Sequence, residues 1–160
     1  LLQMQPGRIE ELIAANAIHY LIITLLSLVT MVIVGIVAFN FNMRGSWINF
    51  GVFASLSAIM VLGFGLLIGS WAKNENQSAP LSNLISFPMM FLSGSFFPRF
   101  LYPAWLQDVT AFVPLTPVVD GFRRIITENA SLASLTPELA IMAVWTLLVY
   151  GLAVYLFRWE

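Results

Sequence analysis

No charged side chain occurs between Glu11 and Arg44, between Arg44 and Lys73, between Glu75 and Arg99, or between Glu138 and Arg158. Each gap is long enough for a helix of about 20 apolar residues, the length that crosses the hydrocarbon core of a bilayer at about 1.5 Å per residue. Backbone in lipid must satisfy its own hydrogen bonds, so runs of this kind are helices rather than open strands. The expected fold is all-α: a polytopic membrane helix bundle with four transmembrane helices, at 18–40, 48–72, 79–97 and 137–158.

Composition agrees with that reading. Of 160 residues 59% are hydrophobic and 9% charged, whereas a soluble domain carries about 25% charged residues. The net charge of −1 gives no footprint for nucleic acid and no strong steering field. There is no cysteine, so disulfides and thiolate metal sites are excluded. His19 is the single histidine, which excludes a two-histidine metal site. The single lysine, Lys73, is followed by Asn74, so no G-x-x-x-x-G-K-[ST] phosphate loop exists and ATP is not hydrolysed by that route. No acidic residue lies inside an expected span beyond Glu138 at the mouth of the last one, which argues against an ion-coupled carrier. Serines lack a recognisable base partner, so no catalytic constellation is present. The start, Leu1-Leu2-Gln3-Met4-Gln5, is neither an initiator methionine nor a signal peptide, and the chain reads as a piece of a longer protein.

Local patterns divide the chain further. After the turn signal Pro6-Gly7, residues 6–17 read as a short amphipathic helix, with Ile9, Leu12, Ile13 and Ala17 on one face and Glu10 and Glu11 on the other. The alternative is a plain extension of the following span. In the second span Gly65 and Gly69 form a small-xxx-small pair that would admit a close helix neighbour. The third span starts near Pro80, carries Pro88 at its middle, which should kink it, and ends or bends at Ser93-Gly94-Ser95. Residues 98–129 are too polar to cross and too apolar to be a free loop. They read as two short helices broken by Pro114 that dip partly into the membrane, with Asp120 able to pair with Arg124 at i,i+4 or to meet Arg123 across a local turn. The alternative is an interfacial loop with one amphipathic helix. Thr136-Pro137-Glu138 supplies start signals for the last span. Arg8, Lys73 and Arg158 fall on one side of the bilayer, and Arg44, Arg99, Arg123 and Arg124 on the other, so basic residues do not decide the orientation.

The order of these features resembles the C-terminal two-thirds of an ABC-2 type transporter permease, with the closest look to bacterial drug-exporter and daunorubicin-resistance-type permeases. The resemblance rests on the helix at Pro6–Ala17, on Phe87-Pro88 with Leu92-Ser93-Gly94 and Phe97-Pro98, and on Pro103-Ala104-Trp105-Leu106, Pro114-Leu115-Thr116 and Asp120-Gly121-Phe122-Arg123. It implies that residues 6–17 are a cytoplasmic coupling helix, with Arg8, Glu10, Glu11 and Leu12 meeting an ABC ATP-binding subunit. It implies that residues 98–129 are re-entrant helices on the extracellular side, with Pro88, Ser93, Gly94, Pro98, Pro114, Asp120 and Arg123 forming a gate region. It further implies a second permease half, as homo- or heterodimer, and ATP and Mg2+ bound by the partner subunit rather than by this chain. The substrate would be a small molecule, lipid or glycan, with efflux of drugs or amphiphiles foremost. The location would be a bacterial inner or plasma membrane. The rival classes are an ion-coupled secondary transporter, which would need no ATPase partner, and a membrane scaffold, which would not need the proline-broken region.

Overall fold

A computed structural model describes residues 6–72 and 75–157. The chain divides into two compact units, one up to Asn42 and one from Met43.

The first unit is a single helix, α1 (Pro6–Phe39). The expected break between an amphipathic helix and a span is absent, and residues 6–17 are the opening turns of one continuous helix. Nothing in that stretch stops it: no proline or glycine follows Gly7 until Gly35. From Ala14 to Phe39 α1 is long and apolar enough to cross a membrane. The Thr24 and Thr30 hydroxyls donate to the Tyr20 and Leu26 carbonyls at 2.8 and 2.9 Å, which removes two polar groups from an apolar face. Asn40 stops the helix in the left-handed conformation (φ 51°), and the Phe41 amide turns back to the Gly35 carbonyl at 3.1 Å.

The second unit holds α2 (Trp47–Trp71), α3 (Glu75–Leu92), α4 (Ala104–Thr110), α5 (Leu115–Glu128) and α6 (Thr136–Phe157). Single 3-10 turns precede α4 and α6, at Arg99–Leu101 and Leu132–Leu135. Ser46 caps α2 by accepting from the Ile48 amide at 3.3 Å. Its core is the seam between α2 and α6, which run side by side in the same direction. Gly63 makes that approach possible: a Cβ there would lie 2.6 Å from Val149 and 2.7 Å from the Tyr150 ring. The Tyr150 hydroxyl donates across the seam to the Ile59 carbonyl at 2.8 Å. Gly65 and Gly69, the pair singled out in the sequence, face open space instead. The seam also buries Met60, Met142, Val149 and Ala153.

Among the described residues three helical segments are long and apolar enough to span a membrane: Ala14–Phe39, Trp47–Trp71 and Leu132–Leu156. The expected third span, at 79–97, is cut differently. α3 starts earlier, at Glu75, and stops at Leu92 after 18 residues. It runs through both Pro80 and Pro88, so the bend falls at Gly94 (φ 87°), in the left-handed region that favours glycine. At about 1.5 Å per residue α3 reaches about 27 Å, some 10 Å less than the 25 residues of α2. α6 also starts otherwise than expected. Thr136 does not cap it but donates to the Ala133 carbonyl, while Ser131 accepts from the Ser134 amide and caps the preceding turn.

The length missing from α3 is made up by the α4–α5 hairpin, packed along the N-terminal half of α2. The Ile126 carbonyl of α5 accepts from the Arg44 amide at 3.0 Å, just before α2 begins. Further along, Gly121 lies against the Phe53 ring with no room for a Cβ, and Phe122 packs on Phe50 and Phe53, ring centroids 5.1 Å apart in both cases. At its start Leu115 shares a cavity wall with Met60 and Phe64. α5 therefore runs antiparallel to α2, and its first residue lies about 20 Å along the α2 axis. Segment 98–129 does form two short helices separated at Pro114, as the sequence indicated.

Gly121→Val (G121V) drives a branched side chain into Phe53 and is expected to cost about 1–3 kcal/mol. Gly65→Ala (G65A) meets nothing and should leave stability within about 0.5 kcal/mol of the parent. Thermal unfolding of the two variants in detergent, side by side, checks the assignment of the close contact.

Candidate functional site

The α4–α5 hairpin brings chemistry-bearing side chains together around Arg99. Its guanidinium donates three ways: NH1 to Asp120 Oδ2 at 2.7 Å, NH2 to the Gln107 carbonyl at 2.8 Å, and Nε to Thr110 Oγ1 at 3.3 Å. One planar fork thus ties the turn after α3 to α4 and to α5, a geometry suited to arginine and not to lysine. Gly94 contributes by its missing side chain, since a Cβ there would lie 3.0 Å from Arg99 Cγ. Ser93 beside it is fully buried, donating to the Met90 carbonyl and sharing a 2.8 Å hydrogen bond with Ser95.

The hairpin tip needs internal partners, because broken backbone at that depth is tolerated only where protein or a cavity satisfies it. Thr116 Oγ1 donates to the Thr110 carbonyl at 2.6 Å, the Val113 amide to the same carbonyl at 3.2 Å, and the Thr116 amide to the Val113 carbonyl at 3.0 Å. Trp145 Nε1 on α6 donates to the Phe112 carbonyl at 2.8 Å. Pro114 is buried at this tip and has no N–H to satisfy.

The expected Asp120–Arg124 pair is not formed. Both Asp120 oxygens are occupied, Oδ2 by Arg99 and Oδ1 by Arg123 at 3.3 Å. Arg124 turns to α6, where NH1 meets Glu138 Oε1 at 2.6 Å and NH2 the Ser134 carbonyl at 3.2 Å. Glu128 lies within 3.8 Å of it. The hydrogen bond that Arg124 donates to Glu138 raises the Arg124 pKa against the opposing effect of desolvation, so the guanidinium stays charged. Glu138 sits in the first turn of α6, where the helix dipole favours a carboxylate. Its Oε2 is buried without a hydrogen-bond partner among the described residues. At the far end of α5 Asn129 adopts φ 54°, and the Ala130 amide returns to the Arg124 carbonyl at 3.1 Å.

Of the gate residues expected from the sequence, Ser93, Gly94, Asp120 and Arg123 gather near Arg99. Pro98 immediately precedes the Arg99 turn, Pro114 lies at the hairpin tip, and Pro88 lies apart on α3. In α1 Glu11 is exposed, while the side chains of Arg8, Glu10 and Leu12 lie outside the described residues. Arg99 and Glu138 were not singled out as site residues. In the sequence Arg99 bounds a charge-free run and counts among the basic residues of one bilayer side, and neither feature marks it as a site residue. Among the described residues no cluster of His, Cys, Asp or Glu could hold a metal.

Three helices long and apolar enough to span a membrane, beside a hairpin held by internal ion pairs, describe an all-α helix bundle of the multi-pass membrane kind. The family model for the ABC-2 type transporter matches residues 4–127, and the chain belongs to that family. Similar curated proteins are the Probable multidrug ABC transporter permease YbhR of Escherichia coli K12, 26% identical over 92% of this chain, and the Inner membrane transport permease YhhJ of the same strain, 29% identical over 78%. The Linearmycin resistance permease protein LnrN of Bacillus subtilis is 23% identical over 62%. The chain spans 39%, 33% and 26% of the lengths of these three relatives. No solved structure matches it. As an ABC-2 permease the chain is a membrane component and not an ATPase, in line with the absence of a phosphate loop from its sequence.

Arg99 and Asp120 are about one-fifth exposed, so their pair exceeds a surface ion pair but falls short of a fully buried one. Asp120→Ala (D120A) and Arg99→Met (R99M) should each cost about 1–3 kcal/mol. The double variant should cost clearly less than the sum, as a double-mutant cycle by thermal unfolding would reveal. Arg123→Ala, removing a longer and more exposed arm, should cost less than about 0.5 kcal/mol.

Proposed function

We propose that the chain forms the C-terminal part of the membrane pathway of an ATP-driven exporter of drug-like or amphiphilic compounds. Membership of the ABC-2 family, together with the re-entrant hairpin pinned by Arg99, carries this reading. In it, a separate ATP-binding subunit holds ATP and Mg2+, and a second permease half completes the pathway. The opening turns of α1, with Arg8, Glu10, Glu11 and Leu12, take up the motion of the ATP-binding subunit. Similarity to YbhR, a probable multidrug ABC transporter permease, and to LnrN, a linearmycin resistance permease, supports efflux as the direction.

The proposed topology has four crossings. α1, α2 and α6 each provide one, and α3 with the α4–α5 hairpin provides the fourth, the hairpin filling the outer part that α3 does not reach. The start of α1, the 72–74 connection and the end of α6 then lie in the cytoplasm. Single cysteines at Asn42, Asn76 and Ala133 of the full-length protein test this. An impermeant thiol reagent on intact spheroplasts should label the first and last and spare Asn76→Cys; labelling of Asn76→Cys from outside would refute the arrangement.

The hairpin is the proposed outer gate, with the Arg99–Asp120 pair as the element that has two states: joined when closed, exchanged for water when open. D120A is expected to reduce export at least fivefold at equal membrane abundance. Reversal of Glu10 and Glu11 to lysine should leave insertion normal and lower the amount of ATP-binding subunit that co-purifies. Full export together with undiminished co-purification in the reversed variant would remove the coupling role of α1.

A further inference from the structure

The chain that leads into α2 is hooked to the last turn of α5. The Arg44 amide donates at 3.0 Å to the Ile126 carbonyl, one of the carbonyls that a helix leaves without an internal partner at its C-terminus. Gly45 lies so close that a Cβ would fall 2.0 Å from the Ile125 carbonyl oxygen and 3.0 Å from its carbon. That obstacle is backbone, which cannot turn aside as the end of a side chain can, so the close approach requires glycine. Ile125 itself is fully buried. At the other end of the connection Phe41 is tied to α1, its amide donating to the Gly35 carbonyl at 3.1 Å. Asn42 and Met43 alone stand between the two ties. Three Cα–Cα steps of about 3.8 Å bridge at most about 11 Å, so the connection has little slack.

A pull on Arg44 and Gly45 has two routes onward. α2 begins two residues later, at Trp47, but Gly63 and the Tyr150 hydroxyl fasten it to α6. α5 is the looser of the two, because Arg99 and Asp120 are about one-fifth exposed and water can replace their pairing. The tie of Arg124 to Glu138 at 2.6 Å serves as a pivot. Ile126 lies about 3 Å beyond that pivot along the helix and Asp120 about 6 Å before it, at about 1.5 Å per residue. Tilting α5 by its last turn therefore moves Asp120 roughly twice as far as Ile126. On the reading of α1 as the helix driven by the ATP-binding subunit and of the hairpin as the gate, we propose that residues 42–45 are the drive link between them. Movement of the end of α1 passes through Arg44 and Gly45 to the last turn of α5 and parts Asp120 from Arg99.

The test uses the full-length permease with its ATP-binding subunit in nanodiscs, spin-labelled at cysteines placed at Val109 and Val144. Both positions are exposed, one on α4 and one on α6, and neither takes part in an ion cluster. In the parent protein, ATP with vanadate should change the distance between the labels by about 5 Å, one helical turn. Insertion of Gly-Ser-Gly-Ser-Gly-Ser between Asn42 and Met43 adds about 20 Å of reach and leaves Arg44 and Gly45 in place. It should abolish the distance change and lower export about fivefold or more, the low end of an allosteric coupling, while ATP hydrolysis persists at the parent rate. Gly45→Ala (G45A), which forces the connection off α5, should act in the same way and speed hydrogen exchange of the Arg44 amide about tenfold or more. The insertion follows an exposed residue, Asn42, and adds little loop entropy, so it decides the matter should G45A fail to fold. An unaltered distance change with full export in the insertion variant would overturn the drive link and leave the gate standing. A parent protein whose labels do not respond to nucleotide would refute the gate, and the link with it.

Discussion

The second unit is organised around a cation turned inward. Lipid offers no partner to an unpaired peptide group, so a chain that leaves helical geometry between two spans must bring its own donors and acceptors. Arg99 does so: a single guanidinium engages a carboxylate, a backbone carbonyl and a threonine hydroxyl. The fork holds the turn after α3, α4 and α5 in one arrangement, and the remaining tip groups are met by Thr116 and Trp145. Together with the packing of Gly121 and Phe122 on Phe53, that closure holds α5 along α2.

Two ion clusters along α5 divide the labour. Asp120 faces the Arg99 turn and links the hairpin to itself. Arg124, one turn on, reaches Glu138 and links the hairpin to α6. One contact can therefore be released while the other holds, which is the condition for a hairpin that moves at one end and stays anchored at the other. The aromatic packing of Phe122 on Phe50 and Phe53 lies near the anchored end.

The extent of the fold that could be read in advance follows from the range of each determinant. Charge-free runs report burial in lipid residue by residue, so α1, α2 and α6 were visible from Glu11, Arg44, Lys73 and Glu138 alone. Pro114 likewise marked the break between α4 and α5, because a missing N–H acts on its own neighbours. The small polar notch Ser93-Gly94-Ser95 marked where α3 stops, whereas the span bound at Phe97 ran five residues past Leu92, since Phe96 and Phe97 are as apolar as any span residue. Glycine spacing pointed to Gly65 and Gly69, but which glycine meets another helix depends on rotation about the α2 axis, and that brought Gly63 to Tyr150 instead. The partner of Asp120 was equally hidden. Spacing along α5 named Arg124 or Arg123, of which Arg123 does meet Asp120, whereas the shorter contact comes from Arg99, 21 residues back in the chain.

That separation has a consequence for how the chain assembles. The bonds of Arg99 close loops of 8, 11 and 21 residues, whereas the Tyr150 hydroxyl bonds a carbonyl 91 residues away. Loop closure costs more entropy as loops lengthen, and low contact order favours early formation. The polar knot can therefore close as soon as Asp120 has been synthesised, before α6 exists to pack against. Asp120 then already holds Arg99 and Arg123, while Arg124 waits for Glu138 of α6. The α2–α6 seam, with Gly63 and Tyr150 at its centre, is added last and locks an element that is already formed.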